Sequence, residues 1–446
     1  MSELPGGWEW TQLAELVEVV RGVTYKKQDS GTEPGDGLVP IVRATNINER
    51  LETDADLVYV PESVVRPAQL IRAGDIVLAS SSGSASVVGK SAVASEDWGG
   101  AFGAFCTLLR PLAGVDARYI GHYVASPSVR RRWSGLASGT NINNLKREHL
   151  AETQVPLAPL AEQRRIVAAI EEHLSRLDAA LAQLRASELR LQRLRMRILE
   201  EAVSGSWNRA PFGDVICELR NGVFVSRPSL DPPGIPIFRI SAVRPMALDI
   251  NDIRYASIAE AAARAYFVES GDLLFTRYSG NPAFVGACAA VPPLATRTLH
   301  PDKLIRVVLD QTKALPEYLE LAFASRSVRR EVEARLKTTA GQVGIAGGQL
   351  RTVPVPLPPV TEQHRIVMGA RESLTAADAL VGAIGRAAAR AEVLRRSILA
   401  CAFRGELVPQ DPRDESASVL RERIASDRAA APMSTPRRES RSVGAR

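Results

Sequence analysis

PLAPLAEQRRIV (Pro156–Val167) returns 200 residues later as PLPPVTEQHRIV (Pro356–Val367), identical at 8 of 12 positions. The next strong echo has the same offset. LRMRILEEAVSG (Leu194–Gly205) becomes LRRSILACAFRG (Leu394–Gly405), identical at 6 of 12. Weaker echoes keep the same order along the chain: PIVRATNI (Pro40–Ile47) with PIFRISAV (Pro236–Val243), GDIVLAS (Gly74–Ser80) with GDLLFTR (Gly271–Arg277), and YIGHYVASPSVRRR (Tyr119–Arg132) with YLELAFASRSVRRE (Tyr318–Glu331). Chance similarity does not preserve order over hundreds of residues, so the chain is an internal duplication. The halves diverge unevenly. Residues 156–205 and 356–405 stay alike, while 1–155 and 206–355 drift apart, which reads as one scaffold carrying two different domains.

The scaffold segments read as long helices. No Pro or Gly falls between Glu162 and Ser204, and apolar residues recur every seven positions at Ile170, Leu177, Leu184, Leu191 and Ile198. Leu174 and Leu181 fill the second heptad position before Glu188 and Arg195 interrupt it. Such a pattern predicts a coiled coil, in a helix of roughly 60 Å at 1.5 Å per residue. The second copy keeps the period with smaller residues: Ala370, Ala377, Ile384, Ala391 and Ile398, with Leu374, Val381 and Ala388 between. A large stripe facing a small one lets two helices approach closely, and the expectation is that they pair antiparallel within the chain. The expected division is therefore 1–155 for the first domain, 156–205 for the first helix, 206–355 for the second domain and 356–405 for the second helix. A mostly disordered tail over 406–446 completes it, with one short helix near Ala417–Ala425.

Each domain alternates short β-type runs with turns and a helical stretch, so the fold class is α/β in the α+β sense. Composition is that of an ordinary globular protein, 45% hydrophobic and 24% charged. No apolar run is long enough to span a membrane. Cys106, Cys217, Cys288 and Cys401 have no paired spacing, and neither they nor the five His residues suggest a metal site. The start does not read as a secretory signal, which points to the cytoplasm. The net charge of +6 is small for a chain gripping nucleic acid by charge alone. Residues 1–155 hold 15 Lys+Arg against 18 Asp+Glu, and 206–355 hold 18 against 14.

If the chain binds DNA, it does so through local patches, with help from partners, or both, and such patches supply the candidate contacts. SSSGSASVVGK (Ser80–Lys90) is a small, polar loop able to approach phosphates and base edges, and RYSGNPAFVGA (Arg277–Ala287) takes its place in the second half. From the loops come Ser82, Ser84, Lys90, Arg277 and Tyr278. Elsewhere stand Lys26 and Lys27, Arg43 with its counterpart Arg239, Arg130 and Arg131 with Arg329 and Arg330, and Lys303. SGTNINNLK (Ser138–Lys146) contributes Asn141 and Lys146, amides being suited to adenine edges. A solvated surface charge is the plain alternative for each basic residue. No catalytic residue emerges. Asn281-Pro282-Ala283-Phe284 and Asp231-Pro232-Pro233-Gly234 are incomplete versions of an adenine methyltransferase's base-holding motif, and no Gly-rich cofactor loop accompanies them.

Together, LPGGWEW, GDIVLASSSGSASVVGK, SGTNINNL and PLAPLAEQRRIV, with GDLLFTRYSG and PLPPVTEQHRIV, resemble the specificity subunit of type I restriction-modification systems over about residues 4–405. The resemblance implies two target-recognition domains joined by an antiparallel pair of helices, and a bipartite double-stranded DNA site with one part read by each domain. It implies no catalysis and no cofactor in this chain. Two modification subunits would bind S-adenosylmethionine and methylate adenine, and restriction subunits would use ATP and Mg. Half-sites about one helical turn apart, roughly 34 Å, would suit such a molecule. Two departures stand out: Ala287 replaces Lys90, and VGIAGGQL (Val343–Leu350) replaces the amide-rich stretch. The competing readings are a recognition subunit of another methylation-based phage-defence system, a DNA adenine methyltransferase and a structural coiled-coil adaptor.

Overall fold

The computed structural model of the chain describes residues 3–48, 50–137, 143–339 and 342–430. Contacts divide it into two units, Met1–Ala182 with Ala388–Arg446 and Gln183–Ala387. The principal helices are α1 (Ala117–Ala125), α2 (Pro127–Leu136), α3 (Leu160–Glu201), α4 (Pro316–Ala324), α5 (Arg326–Glu333), α6 (Val360–Ala402) and α7 (Ala417–Ala430).

Unit one is built on a four-stranded antiparallel sheet in the order Val17–Arg21, Cys106–Pro111, Ile76–Ala79, Ser91–Val93. Unit two repeats it as Ile216–Asn221, Leu304–Leu309, Leu273–Thr276, Cys288–Ala290. The registers agree. Leu109 faces Val19 and Ile76 in one sheet, and Val307 faces Leu219 and Leu273 in the other. Both faces of each sheet are covered. Ile76, Leu78 and Leu109 join the core beneath α1 and α2, while Val77, Leu108 and Phe102 join a second core. Two-sided burial is why IVLA and LLFT read as continuous apolar runs rather than alternating ones.

α1 starts on Asp116, whose carboxylate accepts from the backbone N–H groups of Arg118 and Tyr119 at 2.9 and 3.2 Å. Ser126 then ends α1 and opens α2, and Ser325 does the same between α4 and α5. The Tyr119 hydroxyl donates to the Pro156 carbonyl at 2.5 Å, and the Tyr318 hydroxyl to that of Pro356 at 3.0 Å. A buried glutamine locks each domain to its long helix. Gln163 Oε1 accepts from Asp116 N–H and its Nε2 donates to Ala158 O. Gln363 accepts from Leu315 N–H and donates to Lys313 O and Pro358 O. The repeated Glu-Gln of the two helix entries is thus half explained by packing.

α3 has 42 residues and α6 has 43. In unit one the start of α3 shares a core with the end of α6, through Ile166, Val167 and Ile170 with Ile398, Leu399 and Ala402. In unit two the end of α3 shares one with the start of α6, through Leu199, Ala202 and Val203 with Val367, Ala370 and Leu374. The long helices are antiparallel and paired within each unit. Of the heptad residues, Ile170, Ala370, Leu374, Ala377 and Ile398 are buried. Leu174, Leu177, Leu181, Leu184, Leu191, Val381, Ile384, Ala388 and Ala391 are half-buried.

The short helix expected near Ala417–Ala425 is present as α7, five residues longer, and it is docked rather than free. α7 buries Ala417, Leu420 and Ile424, an i, i+3, i+7 stripe, in the core of unit one. Ala417 N–H donates to Gly7 O at 2.8 Å, and Arg165 pairs with Asp414 at 2.6 Å. A short apolar stripe amid mixed charge was too weak to predict this docking. Residues 431–446 lie outside the described residues. No helix among the described residues is long and apolar enough to cross a membrane.

Candidate nucleic-acid interface

The repeated Gly-Asp is a structural device that mounts the loop after it. Gly74 (φ +84°) and Gly271 (φ +90°) take the positive-φ position of tight turns closed by Asp75 N–H to Arg72 O and Asp272 N–H to Glu269 O. The Asp75 carboxylate accepts from Arg72 N–H at 2.8 Å and from Arg110 Nε and Nη2 at 2.8 and 2.6 Å. Asp272 accepts from Glu269 N–H at 2.7 Å and from Arg306 Nε at 2.5 Å. These ion pairs fix the outer end of the strand whose inner end becomes the loop.

At that inner end the two motifs singled out in the sequence meet. Ser81–Ser82 pairs antiparallel with Asn143–Asn144, and the Ser81 hydroxyl donates to Asn144 Oδ1 at 2.7 Å. In unit two Tyr278–Ser279 pairs with Val343–Gly344. The pairing thus survives the loss of the amides. Gly344 lets the Tyr278 ring lie against the backbone, since a Cβ would sit 2.3 Å from Tyr278 Cδ1 and would push the ring aside. A third segment closes the site from the sheet. Ser80 and Ser81 N–H and the Ser80 hydroxyl all donate to Phe105 O, and Arg277 N–H donates to Lys303 O at 2.8 Å. Phe105 and Lys303 therefore occupy one backbone position in the two domains.

These segments line a groove in each unit. In unit one a hollow of about 810 Å³ gathers Tyr25, Lys27, Arg43, Thr45, Ser82 and Phe105. In unit two one of about 220 Å³ gathers Ser241, Arg244, Thr276, Tyr278, Lys303 and Gln342. A neighbouring hollow of about 390 Å³ is lined by Arg239, Arg254 and again Lys303. The buried Thr276 hydroxyl has no hydrogen-bond partner, nor has the Nε of Arg43 or Arg277. Burial raises the Tyr25 phenol above its ordinary pKa, and Arg43 opposes the shift.

The basic candidates separate into distinct groups. Arg43 pairs with Asp56 at 2.5 Å, and Arg239 with Asp252 at 3.0 Å, in each case thirteen residues on. Thr45 donates to the same Asp56 at 3.0 Å, and Ser241 to Asp252. These arginines belong to a repeated three-residue cluster beside the groove. Arg130 and Arg329 hold the loop from behind, donating to Ser86 O at 2.9 Å and Pro282 O at 3.1 Å. Burial lowers the pKa of Arg329. Arg277 donates to Asp302 O at 3.3 Å and lies 4.8 Å over the Tyr278 ring.

Lys26, Lys27, Arg131, Lys146, Lys303 and Arg330 are exposed; of these Lys27 and Lys303 line the grooves. Ser84 is exposed and shares a hydrogen bond with Ser86 at 2.9 Å. Lys90 is half-buried where the loop returns to the sheet, away from the groove residues. Asn141 lies outside the described residues. Sequence reading missed Phe105 (62% exposed), Arg110 and Arg306. The available signals were Phe105 at the edge of the run AFCTLLR and an arginine inside each of two otherwise apolar strands.

Residues 5–187 match the family described as type I restriction modification DNA specificity domain. The chain is 39% identical to the EcoKI specificity subunit of Escherichia coli K12 over 96% of its own length and 97% of that subunit. It is 32% identical to the StySPI specificity subunit of Salmonella potsdam over 96% of both. Its fold matches a chain solved in work on complex assembly and conformational transition of the type I R-M system, with a TM-score of 0.71 and 19% identity, covering 91% of this chain and all of that one. It also matches the HsdS subunit of Thermoanaerobacter tengcongensis, with a TM-score of 0.53 and 20% identity, covering 91% and 98%.

Proposed function

The chain belongs to the family of type I restriction-modification DNA specificity subunits, and from that premise we propose that its two domains read the two unequal parts of a split double-stranded DNA site. One observation carries the reading. Three segments converge on a groove in each domain, with the same backbone pairings but different side chains. An invariant frame with variable lining suits two readers of one duplex that prefer different bases. The absence of a large basic excess fits a subunit that grips DNA jointly with others.

The reaction chemistry belongs to the partners. Two modification subunits supply S-adenosylmethionine and adenine methylation, and restriction subunits supply ATP- and Mg-dependent translocation and cleavage. The complex works in the cytoplasm. The test is domain exchange. Residues 206–355 are replaced by those of a relative, the full chain is co-expressed with modification subunits, and methylated adenines are mapped across the genome. One half-site should change and the other stay. If neither moves, the reading fails. Tight S-adenosylmethionine binding by this chain alone would contradict it equally.

A further inference from the structure

Phe105 and Lys303 stand at one place in the duplicated frame. The carbonyl of each is held by the first residues of the recognition loop, and the side chain of each is exposed and lines its domain's groove. The flanking segments also correspond: Arg43 to Thr45 with Arg239 to Ser241, and Ser81 to Gly83 with Tyr278 to Gly280. Within a frame this closely matched, one domain presents a phenyl ring where the other presents an ammonium group.

The backbone at Phe105 is fixed by three hydrogen bonds from Ser80 and Ser81, while its ring remains 62% exposed. A fixed, wet, apolar group amid hydroxyls has little to gain from a phosphate. In the major groove, the apolar feature that distinguishes one base from the rest is the thymine methyl. A lysine at the same place meets the opposite chemistry, the O6 and N7 acceptors of guanine. Beside Lys303 that groove offers Gln342, Ser241 and the unpartnered Thr276 hydroxyl as polar neighbours, with Ile240 and Phe284 forming its apolar wall.

Building on the DNA-reading assignment above, we propose that this shared position determines specificity in both domains. Phe105 selects a thymine through its methyl group, and Lys303 selects a guanine through its major-groove acceptors. Both side chains are exposed, so truncating them leaves the fold intact, which an unchanged melting curve verifies.

The test uses the full chain assembled with modification subunits and a duplex carrying its mapped site. Each thymine is replaced in turn by deoxyuridine, which lacks only the methyl, and each guanine by 7-deazaguanine, which lacks N7. For the wild type, one thymine in the half-site of domain one should show about a fourfold loss with uridine, the value of one methyl removed from water. Phe105→Ala should abolish that difference and leave the other half-site untouched. One guanine in the second half-site should show about a tenfold loss with the deaza base, and Lys303→Met should abolish it. If Phe105→Ala weakens binding but keeps the uridine difference, the ring is not reading the methyl. If Lys303→Met only lowers the salt slope by about one, Lys303 contacts a phosphate. Either result overturns the inference while leaving the domain-exchange result, and with it the DNA-reading assignment, standing.

Discussion

Asp178 of α3 pairs with Arg395 of α6 in unit one, and the same pairing recurs in unit two between Arg195 and Asp378. Each residue of one pair lies 200 positions from its counterpart in the other. As one helix runs from 178 to 195 its partner runs back from 395 to 378, which is the order an antiparallel pairing produces; a parallel pairing would set 178 near 378. Arg195, which interrupts the heptad stripe in the sequence, is therefore a register device. Both pairs are partly exposed, so each contributes only about 0.2–1 kcal/mol. Asp178→Arg should lower the denaturant midpoint by that small amount. Adding Arg395→Asp should restore it, and the coupling measured in the double-mutant cycle should fade with added salt. A cycle with zero coupling at low salt would mean the pair plays no part in register.

A much larger effect is expected at Asp75. Its carboxylate is 2% exposed and Arg110 is 15% exposed, so Asp75→Ala leaves a largely buried guanidinium without its counter-charge, held only by the Ala68 and Leu70 carbonyls. Breaking a buried pair by removing one partner costs about 3–5 kcal/mol. Asp272→Ala should do the same to unit two, where Arg306 and Asp272 are 12% and 5% exposed. Because the pair anchors the start of the short strand that leads into the polar loop, faster amide exchange should spread along Ser80–Lys90 in the first variant and Arg277–Ala287 in the second. Exchange confined to the turn itself would count against the mounting role.

The duplication, the long helices and their antiparallel sense were legible because they rest on period and repetition, which survive divergence. The convergence of the polar loop with Asn143 and Asn144 was not, because each was a separate candidate in sequence and the amide-rich stretch is replaced by VGIAGGQL in the second half. The roles of the arginines were not legible. Arg43 and Arg130 look alike in sequence, yet one pairs with a carboxylate thirteen residues on and the other with a carbonyl 44 residues back. Phe105 was hidden for a different reason. Its counterpart is a lysine, so no similarity marks the position, and only the shared hydrogen bonds to the loop reveal it.

Acid should destabilise unit two through His300. This imidazole is fully buried, its Nδ1 lies 2.7 Å from Tyr266 O, and burial pushes its pKa down to about 4. The folded state therefore keeps it neutral while the unfolded chain binds a proton below about 6.5. Stability from this group is complete above that pH and is lost as pH falls from about 6.5 toward 4, up to about 3 kcal/mol in all. Phe102 occupies the equivalent place in unit one, for its carbonyl accepts from Val23 N–H as that of His300 does from Val223 N–H. His300→Phe should flatten the acid limb of unit two's unfolding curve. An unchanged limb would show that His300 is not the group responsible.

Each domain is also matched in charge to its own long helix, with opposite sign. In unit one Arg118 meets Glu171 of α3 at 3.1 Å, while in unit two Glu320 meets Arg371 of α6 at 3.8 Å. Glu171 and Arg371 are equivalent helix positions, so the polarity is reversed between the copies. Glu320 is largely buried, and burial raises its pKa while Arg371 opposes the shift. Grafting residues 206–355 in place of the first domain would set Glu320 against Glu171, two like charges with one desolvated. Such a chimaera should be less stable than the natural chain, and its midpoint should rise with falling pH as the buried carboxyl gains a proton. Adding Glu171→Arg should recover the loss at neutral pH. If the chimaera is indifferent to residue 171, the charge reversal does not direct each domain to its helix.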